Sequence, residues 1–440
     1  MLTPLAQNQN IITMAKRLLI IAVCLVSAIS AFAKKHNVTF SDYFTNTTLR
    51  IDYQLYGDAK HQGIALYEMS KTAIWAGRRR HLDQMPLLGN GQLVMKDAAT
   101  GTTIYQTSFS TLFNEWLTTD EAKTTARSFD HTMLVPMPQR TVEVTVTLIN
   151  ASHETIAKYT HTINPQDILI EQRHRDPNLD YRYMHKGGSV ERCIDVVILG
   201  EGYSQAERDT FYNDAQATCN SLFNHEPFKT RKDDFNIVAV FTPSRDSGMS
   251  IPRLGEWRST AFGSHFSTFY SDRYLTTTRV KAIHDAISGV LYEHIIILAN
   301  TNEYGGGGIY NEYTLTTAHN PNFAPVVVHE FGHSFGGLAD EYDYGDPATY
   351  DLNVEPWEQN ITSMKDFKSK WSDMVEKGTP IPTPDDEEYS NKVGAFVGAG
   401  YNEKGMYRPA LNCRMRTNKA PAFCPVCQRA INRIIDFYTR

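Results

Sequence analysis

Residues 325–341 read PVVVHEFGHSFGGLADE. Pro325 suits a first helical turn, and the run Val326-Val327-Val328 predicts a helix buried against a sheet. His329 and His333 are four apart, so on that helix both imidazoles project from one face and can grip one ion. Two imidazoles and a carboxylate suit zinc, with a fourth position left for water. Glu330 stands beside the first histidine, where it reaches that water without being a ligand. It can take a proton there and later return it to a leaving amine. Gly336-Gly337 ends the helix, because glycine accepts positive φ and turns the chain back toward the histidines. Asp340 and Glu341 then arrive as candidates for the third ligand. Asp340 is the expected ligand, since the shorter return suits one, and Glu341 is the alternative, placed to orient a histidine from behind. A surface helix with incidental histidines is the competing reading of HExxH alone, and the turn followed by an acid argues against it.

Working outward from this helix, strands and helices alternate. Cys193–Leu199 (CIDVVIL), Phe235–Phe241 and His294–Leu298 are short apolar runs of the kind that form buried strands. Between the first two, Ser204 and Glu207 form a capping box, followed at helical spacing by Phe211, Ala215, Cys219, Leu222 and Phe223. Val280, Ile283, Ile287 and Leu291 mark another helix, and Thr314–Ala318 is a candidate edge strand. This order predicts a twisted, mostly parallel sheet with helices packed on it. After the metal helix, residues 342–408 are rich in Gly, Pro and acids and are expected to be long loop with short helices around Trp357 and Trp371. A last helix runs from Val426 to Tyr438.

Before Cys193 the pattern differs. Leu49, Ile51, Tyr53 and Leu55 alternate with polar residues, as do Val142, Val144, Val146 and Leu148, which is the signature of half-buried strands in a sandwich. Leu93–Lys96 and Thr103–Tyr105 flank a hairpin turn at Asp97–Gly101. The expected organisation is therefore a signal peptide over residues 1–33, a β-sandwich over 34–165, a linker over 166–190 and a mixed α/β domain over 191–440.

The 440 residues are 41% hydrophobic and 21% charged with a net charge of −6, which excludes wholesale disorder and gives no basic surface for nucleic acid. Lys16-Arg17, the apolar run Leu18–Ala33 and the closing Ala31-Phe32-Ala33 describe a secretory signal, too short for a membrane span. The expectation is an exported chain (secreted, periplasmic or at the cell surface) with no transmembrane segment after cleavage. Beyond Cys24 there remain Cys193, Cys219, Cys413, Cys424 and Cys427. Cys424 and Cys427 have CxxC spacing, but neither a second such pair nor a nearby histidine completes a zinc site. Cys413 is expected to pair with Cys424 or Cys427.

The motif resembles the IgA-peptidase family of zinc metallopeptidases, whose signature HExxHxxxGxxDE is met at His329, Glu330, His333, Gly337, Asp340 and Glu341. Ile198–Tyr203 (ILGEGY), Tyr304–Gly308 (YGGGG), Gly394–Tyr401 (GAFVGAGY), Tyr407–Pro409, Cys413–Arg416 and Phe423–Cys427 are also similar to that family. The resemblance extends over residues 190–440, with the preceding β region like the family's N-terminal domain. It implies a secreted endopeptidase with Zn2+ held by His329, His333 and Asp340, Glu330 as general base and a metzincin-like fold. Its partners would be protein or peptide substrates, a host glycoprotein or immunoglobulin among them. The broader metzincin pattern sets the third ligand ten positions after the first histidine; that position is Ala339, so the acid falls one residue late. Met415 resembles the methionine that floors metzincin sites, and Tyr407 is the candidate phenol for the oxyanion. His319 on the expected edge strand is a candidate substrate contact, and Tyr304 with its glycines a candidate rim. Two other readings are a secreted binding or adhesion protein with a structural or inactive metal, and a metal-dependent exopeptidase or amidase.

Overall fold

Period-two patterning in the first part of the chain builds two four-stranded sheets. The computed structural model describes residues 38–344 and 350–440; the expected signal peptide lies outside the described residues. The strands are β1 (Phe44–Gly57), β2 (Gln62–Thr72), β3 (Gly91–Asp97), β4 (Thr103–Phe109), β5 (Arg127–Pro138), β6 (Val142–Ile149), β7 (Thr155–Ile163) and β8 (Glu171–Gln172), with short helices α1 (Phe40–Tyr43) and α2 (Leu112–Trp116). One sheet has the order β5-β1-β2-β8 and the other β4-β3-β6-β7. Along β6, Val142, Val144 and Val146 are buried while Glu143 is exposed, as alternation requires. Thr111 caps α2 by accepting the Asn114 amide, which places Glu115 on the side facing the rest of the chain.

The segment expected to be a linker is not only a connection. Glu171 and Gln172 extend the first sheet by pairing parallel to β2, and Tyr181–Lys186 forms β9 on the next sheet. That sheet adds β10 (Ile194–Glu201), β11 (Phe235–Val240), β12 (His294–Ala299), β13 (Gly306–Ile309) and β14 (Tyr313–Thr317) in the order β13-β14-β12-β10-β11-β9. The pairs β10/β11, β10/β12 and β12/β14 are parallel, and both edges, β13 and β9, are antiparallel. Every residue of β10, β11 and β12 is buried, because helices and loops cover both faces of the parallel core. The protein is thus a mixed α+β fold of several sheets.

Helices α3 (Arg208–Phe223), α4 (Val280–Ala286) and α5 (Phe323–Ser334) connect or follow these strands. The capping box at Ser204 and Glu207 is formed. Helix α4 stops short of Leu291, with Gly289 at φ +77 taking the chain out of the helical register. Helix α5 sends Val327, Val328, Phe331 and Phe335 into the main core, where Phe331 and Phe335 stack at 5.1 Å beside Phe228. Residues 342–408, expected as loop, contain a hairpin of β15 (Phe396–Ala399) and β16 (Asn402–Arg408). Trp357 lies outside any helix, and Trp371 is flanked by single 3-10 turns. The last helix is α6 (Pro425–Thr439).

The β region is docked on the α/β region by polar contacts. Arg50 is buried and donates to Asp52 at 2.9 Å and to Asp285 at 2.8 Å. His131 pairs with Glu312 at 3.1 Å. From Thr39 onward the chain forms one compact unit. Among the described residues no helix is long and apolar enough to cross a membrane.

Candidate metal centre

Helix α5 carries His329 and His333 on one face, and the turn after it brings the chain back. Gly337 sits at φ +57, its amide bonds the His333 carbonyl at 3.0 Å, and the Leu338 amide bonds the Gly332 carbonyl at 3.1 Å. A side chain at Gly337 would meet Leu87 at 2.4 Å, so the position needs glycine for its backbone and for its space. The turn also orients His333, whose Nδ1 lies 2.6 Å from the Leu338 carbonyl. His329 Nδ1 lies 2.9 Å from the Arg414 carbonyl. A carbonyl only accepts, so both rings carry their proton on Nδ1 and leave an Nε2 lone pair facing inward.

Those two lone pairs meet one carboxylate. His329 Nε2 and His333 Nε2 are 3.0 Å apart, and Asp340 Oδ1 is 3.1 and 3.3 Å from them. A tetrahedral zinc with bonds near 2.0–2.1 Å has ligand–ligand edges of about 3.3 Å. Asp340 Oδ1 is buried with no hydrogen-bond partner. Three converging acceptor atoms repel one another unless a cation lies between them, so the donor set fits a divalent metal. His329, His333 and Asp340 form one such group, and Glu341 belongs to another.

The electrostatics point the same way. Burial disfavours a charged His333, but the Asp340 carboxylate outweighs it and raises the imidazole to about 9. Burial would also raise Asp340, yet His333 and His329 hold it well below the usual carboxylate range. The Asp340 carboxylate thus stabilises a positive charge at this point, a second proton on His333 Nε2 or a metal ion in that proton's place. Glu330 is raised by burial, partly offset by His329 and His333.

Glycines set what lies over the helix. A Cβ on Gly306 would stand 2.8 Å from Glu330 Oε1, and one on Gly308 would stand 2.2 Å from the Glu330 carbonyl oxygen. The run Gly305–Gly308, read from the sequence as a rim or loop, is largely strand β13, pressed onto α5 because it has no side chains. β13, and not Thr314–Ala318, is the edge of the sheet. Glu115 reaches the neighbourhood from the β region. It accepts from Tyr274 Oη, and burial pushes its carboxyl up to about 7.

Met415 is fully buried against α5, where a Cβ on Gly332 would sit 2.8 Å from its Sδ. Tyr407 lies in β16 opposite Val397, with its backbone bonded both ways to Thr362. The phenol that bonds the cluster is Tyr401, whose Oη donates to Asp340 Oδ2 at 2.5 Å. Sequence reasoning did not single out Tyr401, although it closes the GAFVGAGY stretch. His319 bonds Asp214, which also accepts from Tyr203, and so serves the fold of α3. Tyr304 Oη accepts from Asn418 at 3.0 Å. The expected disulfide is absent: all five described cysteines are free, and Cys413 Sγ stands 3.7 Å from Cys427 Sγ.

Residues 183–389 and 385–435 match the profile of the family described as IgA Peptidase M64. Residues 39–160 match the profile described as Peptidase M64 N-terminus. No curated protein matches the chain.

Proposed function

The chain belongs to the IgA Peptidase M64 family and is by that membership a peptidase acting on protein substrates; we propose that it is an exported, zinc-dependent endopeptidase. The observation that carries this reading is the convergence of His329 Nε2, His333 Nε2 and Asp340 Oδ1 within 3.3 Å of one another, with both Nδ1 atoms committed to carbonyls. When bound there, zinc supplies a Lewis acid that polarises the scissile carbonyl and makes water more acidic. Glu330, next to His329 and against β13, receives the proton of the attacking water and returns it to the leaving amine. Its raised affinity for protons, caused by burial, suits both halves of that exchange.

The antiparallel edge β13 supports the endopeptidase reading. An extended peptide adds to such an edge through main-chain hydrogen bonds and runs past the site in both directions. The bridge between Tyr274 and Gly306 covers one end of β13. Export rests on Lys16-Arg17, Leu18–Ala33 and the small-residue exit. The experiment is digestion of an unfolded protein and a peptide library by the purified chain, with and without chelator. Internal cuts that stop with chelator and return with zinc are expected. Release of single terminal residues, or cutting indifferent to chelator, would overturn the reading.

A further inference from the structure

Three of the described cysteines and one carboxylate form a second cluster outside the His329–His333–Asp340 centre. Glu341, Cys413, Cys424 and Cys427 are all buried, and one ligand atom from each lies within 4.8 Å of every other. We propose that these four side chains form a second, closed metal centre that takes a thiophilic divalent cation, zinc by the chemistry of its donors.

The distances favour a metal over a disulfide. A disulfide joins its sulfurs at about 2.05 Å, whereas tetrahedral Zn–S bonds of about 2.3 Å set sulfurs about 3.8 Å apart. Cys413 Sγ and Cys427 Sγ are 3.7 Å apart, and Cys427 Sγ is 3.0 Å from Glu341 Oε1. Pairing any two of the three thiols leaves the third and Glu341 without a purpose, while one ion uses all four. Glu341 supplies the independent sign. It is fully buried, its Oε1 also accepts from Asn360 at 3.0 Å, and its Oε2 has no partner. An orphaned carboxylate oxygen among thiols is costly unless a cation faces it.

Local structure prepares the thiolates. Cys424 is the N-cap of α6 and Pro425 its first residue, so Cys424 and Cys427 both sit where free helix amides favour negative charge. The Cys424 amide also donates to Cys413 Sγ at 3.3 Å. Four anionic donors exceed the charge of one divalent ion. The buried guanidiniums of Arg408 and Arg414 lie in electrostatic reach of Glu341 and Cys413 respectively and offset the excess.

The centre joins three pieces of chain that the peptidase site needs. Glu341 follows Asp340 directly, Cys413 precedes the Arg414 carbonyl that orients His329, and Cys427 belongs to the last helix. Its role is positioning: it holds the return segment and the Met415 turn against α5.

The test uses the full exported chain, purified without chelator or reductant, together with His333→Ala. Metal content should be two ions per chain in the wild type and one in His333→Ala. After replacement by cobalt, both should show thiolate-to-cobalt charge transfer, because only this cluster contains sulfur. Cys427→Ser should lose that band and melt earlier; if it does not fold, the other two proteins decide. One ion in the wild type with none in His333→Ala would overturn the proposal. So would a missing charge-transfer band, or an intact mass lower by two hydrogens than that of the reduced chain. None of these readouts involves peptide hydrolysis, so this proposal and the peptidase reading fail separately.

Discussion

Asp340 and Glu341 are consecutive, yet their carboxylates enter different clusters: Asp340 Oδ1 lies 3.1 Å from His329 Nε2, and Glu341 Oε1 lies 3.0 Å from Cys427 Sγ. The two side chains leave the segment in different directions, into the two clusters. The Glu341 amide bonds the Met415 carbonyl at 2.9 Å, and Asn360 clamps Ala339 through both of its backbone groups. Those contacts set which acid turns toward the histidines. The paired acids at the end of the motif thus belong to two clusters.

Glu330→Gln removes the proton acceptor and leaves His329, His333 and Asp340 untouched. Metal content should be unchanged, while peptide hydrolysis falls by about a hundredfold or more. Elemental analysis beside a cleavage assay checks this. Turnover at the wild-type rate would remove Glu330 from its assigned role.

Tyr401→Phe deletes the hydroxyl that holds Asp340 Oδ2 at 2.5 Å. Groups that orient a ligand contribute about 10–100-fold to metal affinity. The variant should fold normally and give up its metal to a competing chelator at correspondingly lower concentration. An unchanged chelator titration would make Tyr401 a bystander.

Gly308→Ala places a Cβ 2.2 Å from the Glu330 carbonyl oxygen and 2.9 Å from His333 Cβ. Neither backbone can yield cheaply, so β13 must lift from α5 at a cost of about 1–3 kcal/mol. Lower melting temperature and reduced hydrolysis are expected together. Wild-type behaviour of Gly308→Ala would mean that β13 does not press on the metal helix.

How much of this was legible in the sequence depended on distance along the chain. The helix, its paired histidines and the glycine turn are local, and spacing alone carried them. The buried strands Ile194–Glu201, Phe235–Val240 and His294–Ala299 were legible for the same reason, each being a short apolar run. The choice between Asp340 and Glu341 was not, because it rests on Met415 and Asn360, far off in sequence. Glycine's poor strand propensity hid β13, where close approach to α5 overrides propensity. Positive φ at Gly398, Gly400 and Tyr401 makes a hairpin inside a segment whose composition reads as loop. The cysteines suggested a disulfide because their fourth partner, Glu341, had been read only as a ligand or orienting group of the histidine site.

Asp195 tests the buried polar core through pH. Burial pushes its carboxyl from 3.8 up to about 7, its Oδ1 accepts from Asn236 at 3.0 Å, and Oδ2 has no partner. The folded chain holds this proton more tightly than the unfolded one. Its stability therefore falls as pH rises from 3.8 to about 7 and is then level. Asp195→Asn keeps the acceptor and removes the titration. It should be more stable than wild type above that range, by on the order of 4 kcal/mol at most, and the difference should shrink at low pH. Denaturant melts across pH measure it, and a pH-independent difference would contradict the assignment.

The central claim is that one divalent ion is held by His329, His333 and Asp340. Anomalous diffraction from crystals of the full chain, recorded on both sides of the zinc absorption edge, tests it most directly. The account predicts a zinc peak equidistant from His329 Nε2, His333 Nε2 and Asp340 Oδ1. Density with no anomalous signal at that point, from protein purified without chelator and active in the same batch, would contradict it.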